Sequence, residues 1–73
     1  MCSWVIEDGW YGGTYIDNFL EESKDVCAKI CCENLECGTW TWISTVNRCI
    51  LKKADDLHLR LAGGHFTSKR NQG

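Results

Sequence analysis

The stretch "DVCAKICCENLECGTWTW", residues 25–42, places four cysteines within eleven residues, two of them adjacent, and then sets two tryptophans one residue apart. Cys27 and Cys31 are four apart, so on a helix they leave the same face, one turn above the other. Upstream, Ser23 is suited to cap such a helix and Asp25 would sit in its first turn, where a carboxylate complements the helix dipole. Val26, Cys27, Ile30 and Cys31 recur at helical spacing, and Asn34 and Gly38 are termination signals. The pattern predicts a helix from about Lys24 to Glu33.

Beyond the helix, "GTWTWIS" (38–44) and "RCILKK" (48–53) alternate β-branched and aromatic residues around the turn-like "STVN" (44–47), which predicts an antiparallel hairpin with Trp40 and Trp42 on one face. At least one of these two tryptophans is expected in the core, and Trp4 is expected to pack as well. Ahead of the helix, "CSWVIE" (2–7) and "GGTYID" (12–17) read as short strands, and "GHFTS" (64–68) as a strand closing the sheet. Gly12-Gly13 and Gly63-Gly64 read as turns. The segment "ADDLHLRLA" (54–62) alternates at Leu57, Leu59 and Leu61 and fits either a strand or an irregular loop.

Seventy-three residues form one domain, and so short a chain buries too little apolar surface to fold comfortably without covalent or metal help. Six cysteines are an even number at the density of a small secreted disulfide scaffold. Cys37 introduces the strand that carries Trp40, and Cys49 lies in the next strand, so both can receive bonds from the helical face. Of the three pairings open to these four cysteines, we favour Cys27–Cys49 with Cys31–Cys37. Cys32 points about 100° away from Cys31 around the helix, which leaves Cys2 as its partner. Each bond is worth roughly 3 kcal/mol in the chain-entropy picture.

At these residues the chain resembles a PAN/apple domain. The resemblance rests on "GWYGGTYID", "CAKIC", "CGTWTW", "NRCILKK" and "AGGHFTS", in that order across about residues 9–68. The resemblance implies an α+β fold in which an antiparallel sheet of about five strands cradles one helix, with the helix disulfide-bonded to the central hairpin. The pattern is most similar to the apple modules of apicomplexan microneme adhesins. It departs from many apple domains, which join their first and last cysteines: here no cysteine follows Cys49 and Cys32 is additional, so Cys2–Cys32 rests on geometry alone.

The resemblance further implies a non-enzymatic module, secreted or extracellular, that recognises a glycan or a cell-surface or secreted protein. Within an apicomplexan parasite it would be stored in a secretory organelle such as a microneme. Met1 runs directly into Cys2 and Trp4 without the regions of a signal peptide, so Met1 is expected to be an expression start and residues 1–73 a module of a larger secreted precursor. No stretch is long and apolar enough to span a membrane. A formal charge of −2 argues against a nucleic-acid partner, since phosphate contacts need a basic surface.

Catalytic signals are lacking, because His58 and His65 have no motif pairing either with a nucleophile. Clustered cysteines and two histidines make structural zinc an alternative, but a C-x3-C within a helix with only Cys49 downstream is not the usual pair of knuckles. No cofactor or metal is expected. For a carbohydrate, aromatic faces would stack on the sugar while charged groups take its hydroxyls. Trp10 and Tyr11 in a glycine-flanked turn, with Tyr11 expected to be exposed, and Lys52, Lys53 and His65 at the end of the sheet are the candidate ligand-binding residues. A protein partner would instead meet a broader patch.

Overall fold

A computed structural model describes residues 2–70; Met1, expected to be an expression start, lies outside the described residues with residues 71–73. In chain order the elements are β1 (Trp4–Asp8), β2 (Trp10–Tyr11), β3 (Tyr15–Leu20), α1 (Lys24–Glu33), β4 (Thr39–Ile43), β5 (Arg48–Lys52), β6 (Leu59–Arg60) and β7 (His65–Arg70). Five strands form one antiparallel sheet in the order β1-β7-β4-β5-β3, and β2 with β6 makes a separate two-stranded ribbon. The expected α+β architecture of five strands and one helix is present. The "GHFTS" segment is a strand near the C-terminus, as expected, and β7 lies between β1 and β4.

The helix has the predicted bounds. Ser23, in extended backbone, accepts a hydrogen bond from the Asp25 N–H at 3.1 Å, which satisfies one of the donors left free at the first turn. At the other end Asn34 leaves the helical region, and its side-chain oxygen takes the Glu36 N–H at 2.9 Å, turning the chain toward Cys37. Gly38 serves a different purpose from the termination expected of it. A Cβ there would strike Ala54, so glycine is needed for the chains to approach closely. Val26 also departs from expectation: it is exposed, and the buried face is Cys27, Ala28 and Cys31.

That face packs on β4 and β5, where Trp40 and Leu51 are buried with Cys37 and Cys49. Trp4 from β1 meets Trp40 edge-on with ring centroids 6.1 Å apart, an arrangement that aromatic quadrupoles favour. Trp42 is only half-buried and its indole N–H donates to the Glu21 carbonyl at 2.8 Å.

All six cysteines are bonded, as Cys27–Cys49, Cys31–Cys37 and Cys2–Cys32. The zinc alternative therefore has no thiolate to draw on. The last helical turn carries no basic residue of its own, and Arg70 from β7 fills that role. Its Nε donates to the Cys37 carbonyl at 3.0 Å, and its Nη2 reaches the carbonyls of Cys31, Cys32 and Asn34 at 3.1, 3.4 and 3.4 Å.

Alanine at Cys2 and Cys32 together should cost about 3 kcal/mol, the loop-closure contribution alone. Alanine at Cys27 and Cys49 should cost at least 1 kcal/mol more, about the lower end of what deleting core atoms costs, because both half-cystines are 0% exposed and their removal also opens the core under the helix. Urea midpoints of the two double variants check this, and equal shifts would show that anchoring β1 matters as much as the core bond. Arg70→Ala should cost about 1.5–3 kcal/mol, the range for hydrogen bonds from a charged donor, read in the same way.

Candidate functional site

Side chains alternate across a strand, so β4 and β5 present Trp40, Trp42, Cys49 and Leu51 to the helix and Thr39, Thr41, Ile43, Ile50 and Lys52 to the opposite face. Over this second face lies the β2–β6 ribbon, with β2 beside β7 and β4. Gly9 makes the crossing. Its φ of 139° lies outside the range of ordinary side-chain-bearing residues, its N–H donates to the His65 carbonyl at 2.9 Å, and a Cβ there would strike the Arg60 carbonyl.

Beneath the ribbon the sheet is polar yet buried. Thr41 and Thr67 share a hydroxyl–hydroxyl hydrogen bond of 3.0 Å, and the Thr67 hydroxyl donates to the Trp40 carbonyl at 2.8 Å. At the ribbon's edge, Trp10, Thr41, Ile43, Ile50, Lys52 and His65 line a cleft of about 160 Å³. Three of the five residues expected at a ligand site, Trp10, Lys52 and His65, thus converge.

The other two do not. Tyr11 is buried, 1% exposed, contrary to the expectation that it stands in an open turn. Residues 10 and 11 are a strand, and successive strand residues point to opposite sides, so when Trp10 faces the cleft Tyr11 is turned to the sheet. Its hydroxyl is buried without a hydrogen-bond partner, and burial first, with the charge of Glu7 adding to it, pushes its pKa up. Lys53 is exposed outside the cleft, its backbone N–H held by the Thr14 carbonyl at 2.9 Å.

Arg60 is the residue that sequence reasoning missed. Its guanidinium carbon lies 4.7 Å from the centroid of the Trp10 ring, and the Lys52 ammonium lies 5.0 Å from the same ring, both within cation–π range. Lys52 also donates to the Tyr11 carbonyl at 3.0 Å. Burial, and then the like charge of Arg60, lower the Lys52 pKa, with Asp56 opposing them. Nearby, the Lys69 ammonium lies 5.9 Å from the Tyr11 ring. Among the described residues the one ion pair within 4.0 Å is Lys24 with Asp25, so Lys52, Arg60 and Lys69 have no such carboxylate partner.

His65 contributes a ring of defined polarity. Its Nδ1 lies 3.1 Å from the Gly63 carbonyl, which can only accept, so Nδ1 carries the hydrogen and the neutral ring keeps Nε2 as an acceptor. The arrangement offers two cations, an indole, an imidazole and an apolar floor of Ile43 and Ile50, which suits capture of an anionic group. A wider depression of about 660 Å³ at Ile30, Glu33, Asn34, Leu35 and Glu36 offers acids and exposed leucine instead.

One side of the ribbon is tied down by acid. The Asp55 carboxylate accepts from the Thr14 N–H at 2.8 Å and from its hydroxyl, packing residues 53–56 against the Gly12-Gly13 turn. These two hydrogen bonds hold the Asp55 pKa below the usual aspartate value. Among the described residues no group of three or more His, Cys, Asp or Glu is placed to hold a metal ion. Comparison of the chain with protein-family models, with curated proteins and with solved structures finds no match.

Because folding lowers the Asp55 pKa, the anchoring is fully present above the unfolded aspartate value of about 3.9 and is lost as pH falls from there through the lowered folded value. An NMR titration of the Asp55 carboxyl carbon should show a midpoint below that of a free aspartate. Thr14→Val should move it back up. An unchanged midpoint would mean that Thr14 does not set it.

Proposed function

We propose that the chain is an extracellular, non-enzymatic adhesion module of PAN/apple type that binds acidic carbohydrate at the Trp10–Lys52 cleft, with Arg60 beside the Trp10 ring. The observation that carries the ligand class is that, among the described residues, neither of the two cations at one indole has a carboxylate within 4.0 Å. Neutral sugars stack on a free aromatic face, and here the ring is already engaged by Lys52 and Arg60. A sulfate or carboxylate on a sugar would pair with those cations while the Ile43–Ile50 floor takes the sugar's apolar edge. The cleft is smaller than the roughly 300–1,000 Å³ of a drug-sized pocket, which suits one saccharide unit with its acidic substituent.

Support for the compartment comes from three disulfides in so short a chain, since such bonds persist in oxidising surroundings. Among the described residues no helix is long and apolar enough to cross a membrane. The family assignment is supported by the residues that carry the resemblance and by the arrangement of one helix bonded to the central hairpin of a five-stranded antiparallel sheet. An acidic protein partner is the second reading, favoured by Leu57 and Leu61, which stand 45% and 82% exposed in the same segment of chain as that arginine.

A glycan array bearing neutral, sialylated, uronic-acid and sulfated saccharides tests the proposal. Binding is expected to the acidic members and to weaken as salt rises. Lys52→Ala and Arg60→Ala should each weaken it at least about tenfold, the scale of a lost charged hydrogen bond. Lys53→Ala, outside the cleft, should bind as the parent does. Selective binding of neutral sugars would overturn the acidic ligand class, and silence across the array would move the assignment to an acidic protein.

A further inference from the structure

The three disulfides differ sharply in environment. Cys27, Cys31, Cys37 and Cys49 are at most 1% exposed, so the two bonds under the helix are closed to any reagent in the folded state. Cys2 and Cys32 are each partly exposed and form part of the wall of an open cleft of about 460 Å³, with Trp4, Ala28 and Lys29 among its other lining. One side of this bond carries a cation: the Arg70 Nη1 lies 2.9 Å from the Cys2 sulfur. Among the described residues no cation hydrogen-bonds the Cys32 sulfur, and the charged side chains of the cleft are Lys29, Asp25 and Glu33.

Arg70 is held there firmly. Its Nε is spent on the Cys37 carbonyl and its Nη2 on the carbonyls at the helix end, and its guanidinium lies 5.4 Å from the Trp4 ring, so Nη1 is directed at Cys2 by contacts unrelated to the sulfur. Thiol–disulfide exchange is fastest when the departing sulfur is best stabilised as a thiolate. A fixed guanidinium beside Cys2 therefore biases both which bond breaks and which sulfur leaves.

We propose that Cys2–Cys32 is a thiol-exchange site, reducible in the folded protein while the other two bonds stay intact, with an external thiol or dithiol protein as its reductant. The external thiolate attacks the Cys32 sulfur from the open cleft. The sulfur–sulfur bond breaks, and its electron pair goes to Cys2, which departs as a thiolate paired with Arg70. A second thiolate, the other half of a dithiol or another thiol molecule, then attacks the mixed disulfide and releases Cys32, whose sulfur takes a proton from water. The reductant ends as its own disulfide, and the protein gains two electrons, held as the Cys2 thiolate and the Cys32 thiol. β1 remains hydrogen-bonded to β7 from Trp4–Arg70 to Asp8–Phe66, so exchange frees the N-terminal segment from the helix without dismantling the sheet.

Reduced glutathione is the probe. The folded protein is incubated with rising glutathione, quenched with acid, alkylated and mapped by peptide mass. Alkylation should appear at Cys2 and Cys32 at glutathione concentrations at least about tenfold below those that expose any other cysteine. The trapped glutathione adduct should lie on Cys32 in preference to Cys2. In Arg70→Gln that preference should fall toward parity. If Arg70→Gln does not fold, the adduct position in the parent protein still decides. Reduction of all three bonds together, or first at Cys31–Cys37, overturns the selective site. An adduct on Cys2, or a preference unchanged in Arg70→Gln, overturns the role given to the guanidinium.

Discussion

The bond from Cys27 to Cys49, closed over a buried face, is the constraint on which the rest of the molecule depends. A ten-residue helix is marginal in water on its own, and this one buries little more than Cys27, Ala28 and Cys31. Covalent attachment to β5 at one turn, and of Cys31 to Cys37 at the next, substitutes for the apolar area that the helix lacks. With its inner face tied down at two points, Trp40 and Leu51 have a lid and the sheet has a core.

From that fixed helix the chain ends are organised by a single side chain. Arg70 reads the helix terminus through carbonyls at Cys31, Cys32 and Asn34, the start of β4 through Cys37, and the N-terminal segment through Cys2. A guanidinium can do this because its donors diverge in one plane while its charge complements the negative end of the helix. The same residue therefore links the stability of the helix to the chemistry of the exposed disulfide.

With one face of the sheet occupied by the helix, the proposed recognition falls to the other. The ribbon covers Thr41 and Thr67 there, and its edge sets Trp10 within cation–π distance of both Lys52 and Arg60. Lys52 is partly buried next to a like charge, which disfavours its charged form. An anion in the cleft would relieve both effects at once. Net charge is a poor guide to such a surface: the chain is formally at −2, yet among the described residues Lys52, Arg60 and Lys69 have no carboxylate within 4.0 Å.

The sequence alone determined the local features. The helix from Lys24 to Glu33 follows from Ser23, Asp25 and the four-residue spacing of Cys27 and Cys31, and the hairpin follows from alternation around "STVN". Both signals are short-range and therefore legible. The same alternation, once Trp40 and Trp42 are assigned to the helix side, places Thr41, Ile43 and Ile50 on the other. What only the tertiary structure decided lies in contacts between distant residues. The insertion of β7 beside β4, the burial of Tyr11 by a two-residue strand, the meeting of Trp10 with Arg60 across "ADDLHLRLA" and the reach of Arg70 back to the helix end carry no periodic signature. Each is fixed by the register of strands brought together by the whole sheet, such as Trp10 opposite Arg60 and Trp4 opposite Arg70, and that register belongs to the assembled core and to no local stretch of the chain.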